Sequence, residues 1–131
     1  MELSVYSNNR LREGCALWDV STDMADPMLN YLTHGWEPGS CFTAVLANDF
    51  AGAITKSHPT NTVNSFKSLV GWISDYFPRE AHGSYGTVNE WCARTAEDRR
   101  AVLEQHRLIY TAKEETWLAI KGEKTQEPVL Y

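Results

Sequence analysis

The sequence predicts a mostly α-helical protein, a compact bundle of four to five helices preceded by an irregular N-terminal segment. Apolar residues recur at spacings of three and four along most of the chain after residue 25, which is the period of a helix. Ser, Thr, Asp, Pro and Gly stand where these stretches begin and end. The 131 residues, 43% of them hydrophobic, suffice for one domain with a modest core.

We expect a single helical domain over residues 1–122. Its first part, 1–23, shows no sustained helical period and is predicted to be an irregular arm. At most one small hairpin is expected there, formed by "LSVY" (3–6) and "CALWDV" (15–20). Residues 123–131, which are polar and then apolar, are predicted to be a mobile C-terminal tail.

The first helix is predicted over 26–35, "DPMLNYLTHG". Asp26 is a suitable N-cap, Pro27 fits the first helical position, and Gly35 fits a left-handed stop. The expected buried stripe of this helix consists of Met28, Leu29 and Leu32.

The second helix is predicted over 41–56, after a turn at Pro38-Gly39 and with Ser40 as its cap. Its apolar positions keep the helical period: Phe42, Val45, Leu46, Phe50, Ala53 and Ile54. Gly52 weakens a helix by ~1 kcal/mol relative to Ala, so we expect another helix to approach closely there.

The third helix is predicted over 62–77, and Pro78 ends it. Its candidate caps are Thr60, Asn61 and Thr62. We expect this helix to pack antiparallel to 41–56, because the connection 57–61 is short and contains Pro59.

Two further helices are predicted near the C-terminus. A short one covers 87–93, and a longer one begins at Thr95, with Asp98 three residues on as an approximate capping box. Continued toward Gly122, the longer helix would extend ~36 Å at ~1.5 Å per residue.

Charge and composition disfavour several classes of function. The net charge is −5 and no basic stripe occurs, which disfavours nucleic-acid binding through phosphates. No apolar stretch approaches the ~20 residues that span a bilayer, and the N-terminus lacks the order of a signal peptide. We therefore expect a cytoplasmic protein without membrane association.

Cysteine and histidine residues form no recognisable metal or redox motif. The three cysteines contain no CxxC pair. The histidines, at 34, 58, 82 and 106, lie 24 residues apart and form no HxxxH motif. We predict no metal and no cofactor.

Cys41 follows "PGS" in the first turn of a predicted helix, where a helix dipole can stabilise a thiolate. The order "GSC" plus an aromatic is similar to papain-like proteases, but such an enzyme needs a His base and a cleft between two subdomains. No histidine lies in a fitting motif. We therefore interpret Cys41 as a small, half-buried apolar residue and predict no catalytic residue.

Asn48 and Asp49 interrupt the apolar pattern of the second helix. A carboxylate beside that face needs a partner if it is buried. One interpretation is a structural tie to a loop amide, Arg79, Ser84 or Tyr85, and the other is a polar contact inside a binding groove. The glycine-rich "HGSYG" (82–86) lacks the features of a phosphate loop, so we interpret it as a tight turn lying close against a helix.

Residues 35–92, containing "PGSCFTAVLANDF", resemble a group of small uncharacterised proteins of tailed bacteriophages. That group pairs a "PGSF-TAVL-NDL" helix with an amphipathic second helix and a turn containing Pro and Gly. Cys41 stands where the group has an apolar residue. The resemblance implies phage origin and therefore the host bacterial cytoplasm, and it implies no particular activity.

Small phage proteins often bind host machinery, so the leading hypothesis is a non-enzymatic protein that binds and modulates a host protein, such as an inhibitor of CRISPR or another defence system. One alternative is a small-molecule-binding protein or simple enzyme with a pocket between 41–56 and 82–86. The other is a virion assembly factor. Candidate partner-binding residues are Trp36, Glu37, Asp23, Asp26, Asn48 and Asp49. Trp36 is expected either to anchor a partner or to staple the helix entry onto core residues such as Leu46.

Overall fold

The computed structural model describes residues 9–57 and 62–109. In these two ranges the chain is helical and contains no strand, which confirms the predicted fold class. The number of helices is higher than the predicted four to five. The seven α-helices are α1 (Asn9–Leu17), α2 (Thr22–His34), α3 (Ser40–Leu46), α4 (Phe50–Lys56), α5 (Val63–Tyr76), α6 (Tyr85–Ala93) and α7 (Ala96–Gln105). One 3-10 turn, Arg79–Ala81, follows α5.

The irregular arm predicted for 1–23 is wrong over its described part, because α1 occupies most of it. A strand at 15–20 is also wrong, since these residues form the last turn of α1 and the turn that follows. That turn passes through Asp19, whose φ of 53° is left-handed. The other predicted hairpin strand, 3–6, lies outside the described residues.

Helix α1 docks against α5 through two reciprocal contacts between a glycine and an aromatic ring. The indole of Trp18 covers Gly71 so closely that a Cβ atom there would lie 2.2 Å from the ring. The ring of Tyr76 covers Gly14 in the same way, at 2.5 Å. The Trp18 indole nitrogen also donates to the Asp75 carboxylate, at 3.0 Å. Contacts so distant in sequence explain why local patterns did not reveal α1.

Helix α2 begins four residues earlier than predicted. Ser21, not Asp26, occupies the N-cap position, and Pro27 lies inside the helix. A proline there removes the hydrogen bond to the carbonyl of Asp23, which is an exposed residue whose carbonyl water can reach. The end of the helix is as predicted: Gly35 is left-handed, with φ 69°. In the predicted stripe Met28 and Leu32 are fully buried, whereas Leu29 is half-buried.

The prediction of a single helix over 41–56 is wrong. At Asn48 the backbone leaves the right-handed helical geometry, with a φ of 62°. The Asp49 amide donates to the Ala44 carbonyl at 2.8 Å and closes α3. The Asp49 carboxylate then caps α4 by accepting from the Gly52 amide at 3.0 Å. That carboxylate, rather than another helix, fills the space beside Gly52. At the start of α3, Gly39 and not Ser40 is the N-cap.

For two later helices, α5 and α7, the observed N-cap is among the predicted candidates. Thr62 accepts from the Ser65 amide at 3.2 Å, and Thr95 accepts from the Asp98 amide at 3.1 Å. Helix α6 begins two residues before the predicted 87–93, with Ser84 as its cap.

The long final helix is wrong, because α7 ends at Gln105. Arg107 is left-handed, with φ 61°, and the Leu108 amide donates to the Leu103 carbonyl at 3.0 Å. The rest of the predicted helix, to Gly122, and the tail 123–131 lie outside the described residues.

The core is centred on two tryptophans, each of which hydrogen-bonds through its indole nitrogen. Trp72 donates to the Leu11 carbonyl at 3.0 Å, and Trp91 donates to the Tyr31 carbonyl at 3.1 Å. A second cluster joins Ala44 of α3, Ala53 of α4 and Phe66 of α5, so the expected contact between these regions is present. Across 9–57 and 62–109, no helix is both long and apolar enough to cross a membrane.

Candidate functional site

Trp36 follows α2 and is the most exposed aromatic residue in the described ranges. Its ring stacks on that of His34, with centroids 4.4 Å apart and an interplanar angle of 23°. It nevertheless keeps 61% of its surface exposed, so it is not stapled into the core. Glu37 is exposed beside it in the chain. Burial raises the pKa of the Cys92 thiol on α6, and the smaller effect of the Glu37 charge raises it further. Trp36 and Glu37 therefore form one surface, called here the Trp36 surface.

The buried side chain of Arg99 contacts the end of α2, next to the Trp36 surface. This arginine is 6% exposed, and its guanidinium donates to the Thr33 carbonyl at 3.1 Å and to the Arg94 carbonyl. It therefore places a cation at the C-terminal end of α2, where the helix dipole is negative. Gly35 is needed above it, since a Cβ atom there would lie 2.5 Å from the guanidinium.

The acidic residues predicted to join Trp36 do not lie beside it. Asp23 and Asp26 are exposed in the first half of α2. His34, at the other end, is eight residues from Asp26, or about 12 Å along the axis. A single compact partner can contact the Trp36 surface without touching either aspartate.

Asn48 and Asp49 form the corner between α3 and α4. Asn48 is exposed, and Asp49 accepts hydrogen bonds from the Tyr85 hydroxyl, at 2.6 Å, and from the Gly52 amide, at 3.0 Å. These two bonds, that of Tyr85 first, lower the pKa of Asp49, and the same bond raises the pKa of Tyr85. Tyr85 is among the partners expected for a structural tie, whereas the Gly52 amide belongs to α4 and was not predicted. The corner is thus linked to the start of α6.

A small cavity lies beside this corner, where the sequence analysis placed a possible small-molecule pocket. It has a volume of about 280 Å³ and is bordered by Asn48, Phe50, Ser74 and His82. Burial lowers the pKa of His82, against the effect of a hydrogen bond with the Phe77 backbone. The neighbouring Gly83 donates its amide to the Leu46 carbonyl at 2.7 Å, which holds this segment against α3 as predicted. The predicted turn over 82–86 is shorter than expected, because Tyr85 and Gly86 already belong to α6.

A larger cavity, of about 740 Å³, lies between α1 and α2. We call it the α1–α2 groove. The fully buried Leu11 and Trp72 form its floor, and the turn that contains Asp19 also borders it. Sequence reasoning missed this groove because it did not predict α1.

Cys41 has the environment of a packing residue rather than a nucleophile. Its thiol is half-buried and donates to the Ala53 carbonyl at 3.3 Å. Burial raises the pKa of this thiol, which lowers the thiolate fraction at neutral pH. Within the described part of the chain, no three His, Cys, Asp or Glu side chains are grouped so that they could hold a metal ion.

Comparisons with known protein families, with curated proteins and with solved structures give no match. The arguments about function therefore rest on the sequence and the geometry described above.

Proposed function

We propose that this protein is a non-enzymatic binding module that engages a host protein through the Trp36 surface and modulates its activity. The observation that supports this is the Trp36 ring, which His34 orients by stacking while 61% of its surface stays exposed. A rigid, exposed tryptophan is the type of residue that anchors protein interfaces. Glu37 beside it and the net charge of −5 favour a basic partner surface.

The origin and the biological setting form the second part of this proposal. The resemblance of residues 35–92 to proteins of tailed bacteriophages supports phage origin and action in the host bacterial cytoplasm. We propose that the host target belongs to a CRISPR or other anti-phage defence system.

The test compares wild-type protein with the Trp36→Ala/Glu37→Lys variant in affinity purification from bacterial host cells, followed by mass spectrometry. We expect wild type to retain one host protein in stoichiometric amount. The double variant should bind that protein at least about tenfold more weakly, the loss typical of an interface anchor. Its melting temperature should stay close to that of wild type, because both side chains are exposed.

Phe50→Ala is the matched control, because Phe50 is another exposed aromatic residue and lies in a different element, at the start of α4. We expect it to bind the host protein as wild type does. Full affinity in the Trp36→Ala/Glu37→Lys variant would show that the Trp36 surface does not bind the host protein. Retention of virion proteins instead of a host protein would support an assembly factor.

Small-molecule binding is a second candidate, favoured by the cavity of about 280 Å³ beside Asn48 and His82. This volume lies near the lower end of the ~300–1,000 Å³ typical of ligand pockets. A co-purifying metabolite without any protein partner would favour this candidate over the first.

A further inference from the structure

The α1–α2 groove has the size and shape of a small-molecule site. Its volume of about 740 Å³ falls within the range of ~300–1,000 Å³ found for ligand pockets. Residues of α1 and α2 line it, together with Asp19 and Val20 of the turn between the two helices. A cavity of this volume accommodates one compact molecule.

The lining is apolar at the floor and charged at the rim. Apolar side chains supply most of the lining: Leu11, Cys15, Ala16, Leu17, Val20, Ala25, Leu29 and Trp72. One of them, Leu17, keeps 71% of its surface exposed and is therefore accessible to an occupant. Such a surface favours an occupant with an apolar body.

Charged groups border the groove at its rim. The exposed carboxylates of Asp19 and Asp26 lie there, together with the charged side chains of Glu13 and Arg12. The charge of Asp26 also reaches Cys15, which lines the groove. Burial raises the pKa of the Cys15 thiol, the Arg12 charge lowers it, and the Asp26 charge raises it. An apolar cation would therefore meet complementary charge at the rim and complementary surface at the floor.

We propose that the α1–α2 groove binds a small organic cation, an amine whose aromatic or alkyl body covers the apolar floor while its ammonium group lies beside Asp19 and Asp26. This site is separate from the Trp36 surface and does not depend on the proposed function. It gives the protein a ligand-binding capacity in addition to contact with a partner.

The test uses nuclear magnetic resonance titration of the ¹⁵N-labelled full chain. The probes are tryptamine, phenethylamine and hexylamine, each compared with the alcohol that carries a hydroxyl in place of the amine. We expect the amines to bind with dissociation constants on the order of fivefold lower than the alcohols, the gain from two exposed charge pairs. The amide shifts should be centred on Cys15, Ala16 and Ala25. Higher salt should reduce the preference.

Two variants test the charged rim and the apolar floor of the groove separately. Asp19→Asn/Asp26→Asn keeps a side chain that tolerates the left-handed turn at 19, and we expect it to abolish the preference for amines. Ala16→Trp, at an exposed groove position, should fill the site and weaken all probes.

The matched controls change the same chemistry elsewhere. Glu97→Gln/Asp98→Asn alters the net charge equally, and Ala101→Trp adds an indole at an exposed site on α7. Both should bind the probes as wild type does. The proposal is overturned by equal affinity for amines and alcohols, by shifts centred outside the groove, or by a preference that survives in Asp19→Asn/Asp26→Asn. It is also overturned if no probe binds at up to about 10 mM, where even millimolar affinity would register.

Discussion

Replacing Gly71 with alanine tests whether the glycine contacts hold α1 on the rest of the domain. Alanine favours a helix over glycine by about 1 kcal/mol, so local propensity alone predicts a more stable protein. The structure predicts the opposite, because the new methyl group would lie 2.2 Å from the Trp18 indole. Overpacking of this kind costs about 1–3 kcal/mol. Displacing the indole also removes its hydrogen bond to Asp75, which contributes about 0.5–1.5 kcal/mol.

The balance is a net loss of roughly 0.5–3.5 kcal/mol in the free energy of unfolding, with a middle value of about 2 kcal/mol. For a domain of this size a loss of about 2 kcal/mol corresponds to a fall of roughly 6–10 °C in melting temperature, measured by circular dichroism. Gly86→Ala is the matched control: this glycine also lies in a helix, but the nearest atom to an added Cβ is 3.7 Å away. It should raise stability by up to about 1 kcal/mol.

A second-site change tests the cause of the loss. Trp18→Leu in the Gly71→Ala background shortens the side chain that the methyl group meets, so the two changes together should cost less than their sum. A Gly71→Ala protein as stable as wild type, or strict additivity of the two changes, would refute the proposed contact between α1 and α5.

The remaining predictions concern three separate positions. Arg107→Gly should stabilise the protein by about 1 kcal/mol in denaturant unfolding, because glycine relieves the left-handed strain at φ 61°; a loss of stability would show that the arginine side chain contributes more than its backbone costs. Burial raises the pKa of Glu80, but the hydrogen bond to His106, at 3.1 Å, and other contacts lower it by more. The net result is a pKa below the ordinary 4.5. A carboxylate with a lowered pKa stabilises the fold above about pH 4.5, and this stabilisation is lost as the pH falls through the folded-state pKa. Glu80→Gln should therefore flatten the decline in stability between about pH 5 and pH 3. Cys41→Ala should leave partner binding intact, and the native Cys41 thiol should react with iodoacetamide more slowly than a free cysteine peptide, because burial raises its pKa.

Sequence reasoning succeeded where structure is decided within a few residues. The caps at Thr62 and Thr95 and the stop at Gly35 depend on backbone groups three or four positions away, so the residue types indicate them directly. The exposure of Trp36 also follows from its place in a short turn between two helices.

It failed where distant residues decide the outcome. The apolar period of 41–56 runs through the break at Asn48, so only the backbone geometry of that residue separates α3 from α4. Helix α1 is short, only nine residues, and is held by contacts with α5 more than fifty residues away. Because α1 lines one side of the groove, missing the helix meant missing the groove.

The buried guanidinium of Arg99 has a consequence for communication within the protein. It joins the carbonyl of Thr33, two residues before the stop at Gly35, to the carbonyl of Arg94, at the junction of α6 and α7. A partner that immobilises Trp36 would restrain this junction through a side chain that it never touches. Amide hydrogen exchange in the first turn of α7 should therefore slow when the Trp36 surface is occupied, and an Arg99→Met protein should lose that long-range protection while keeping its local contact with the partner.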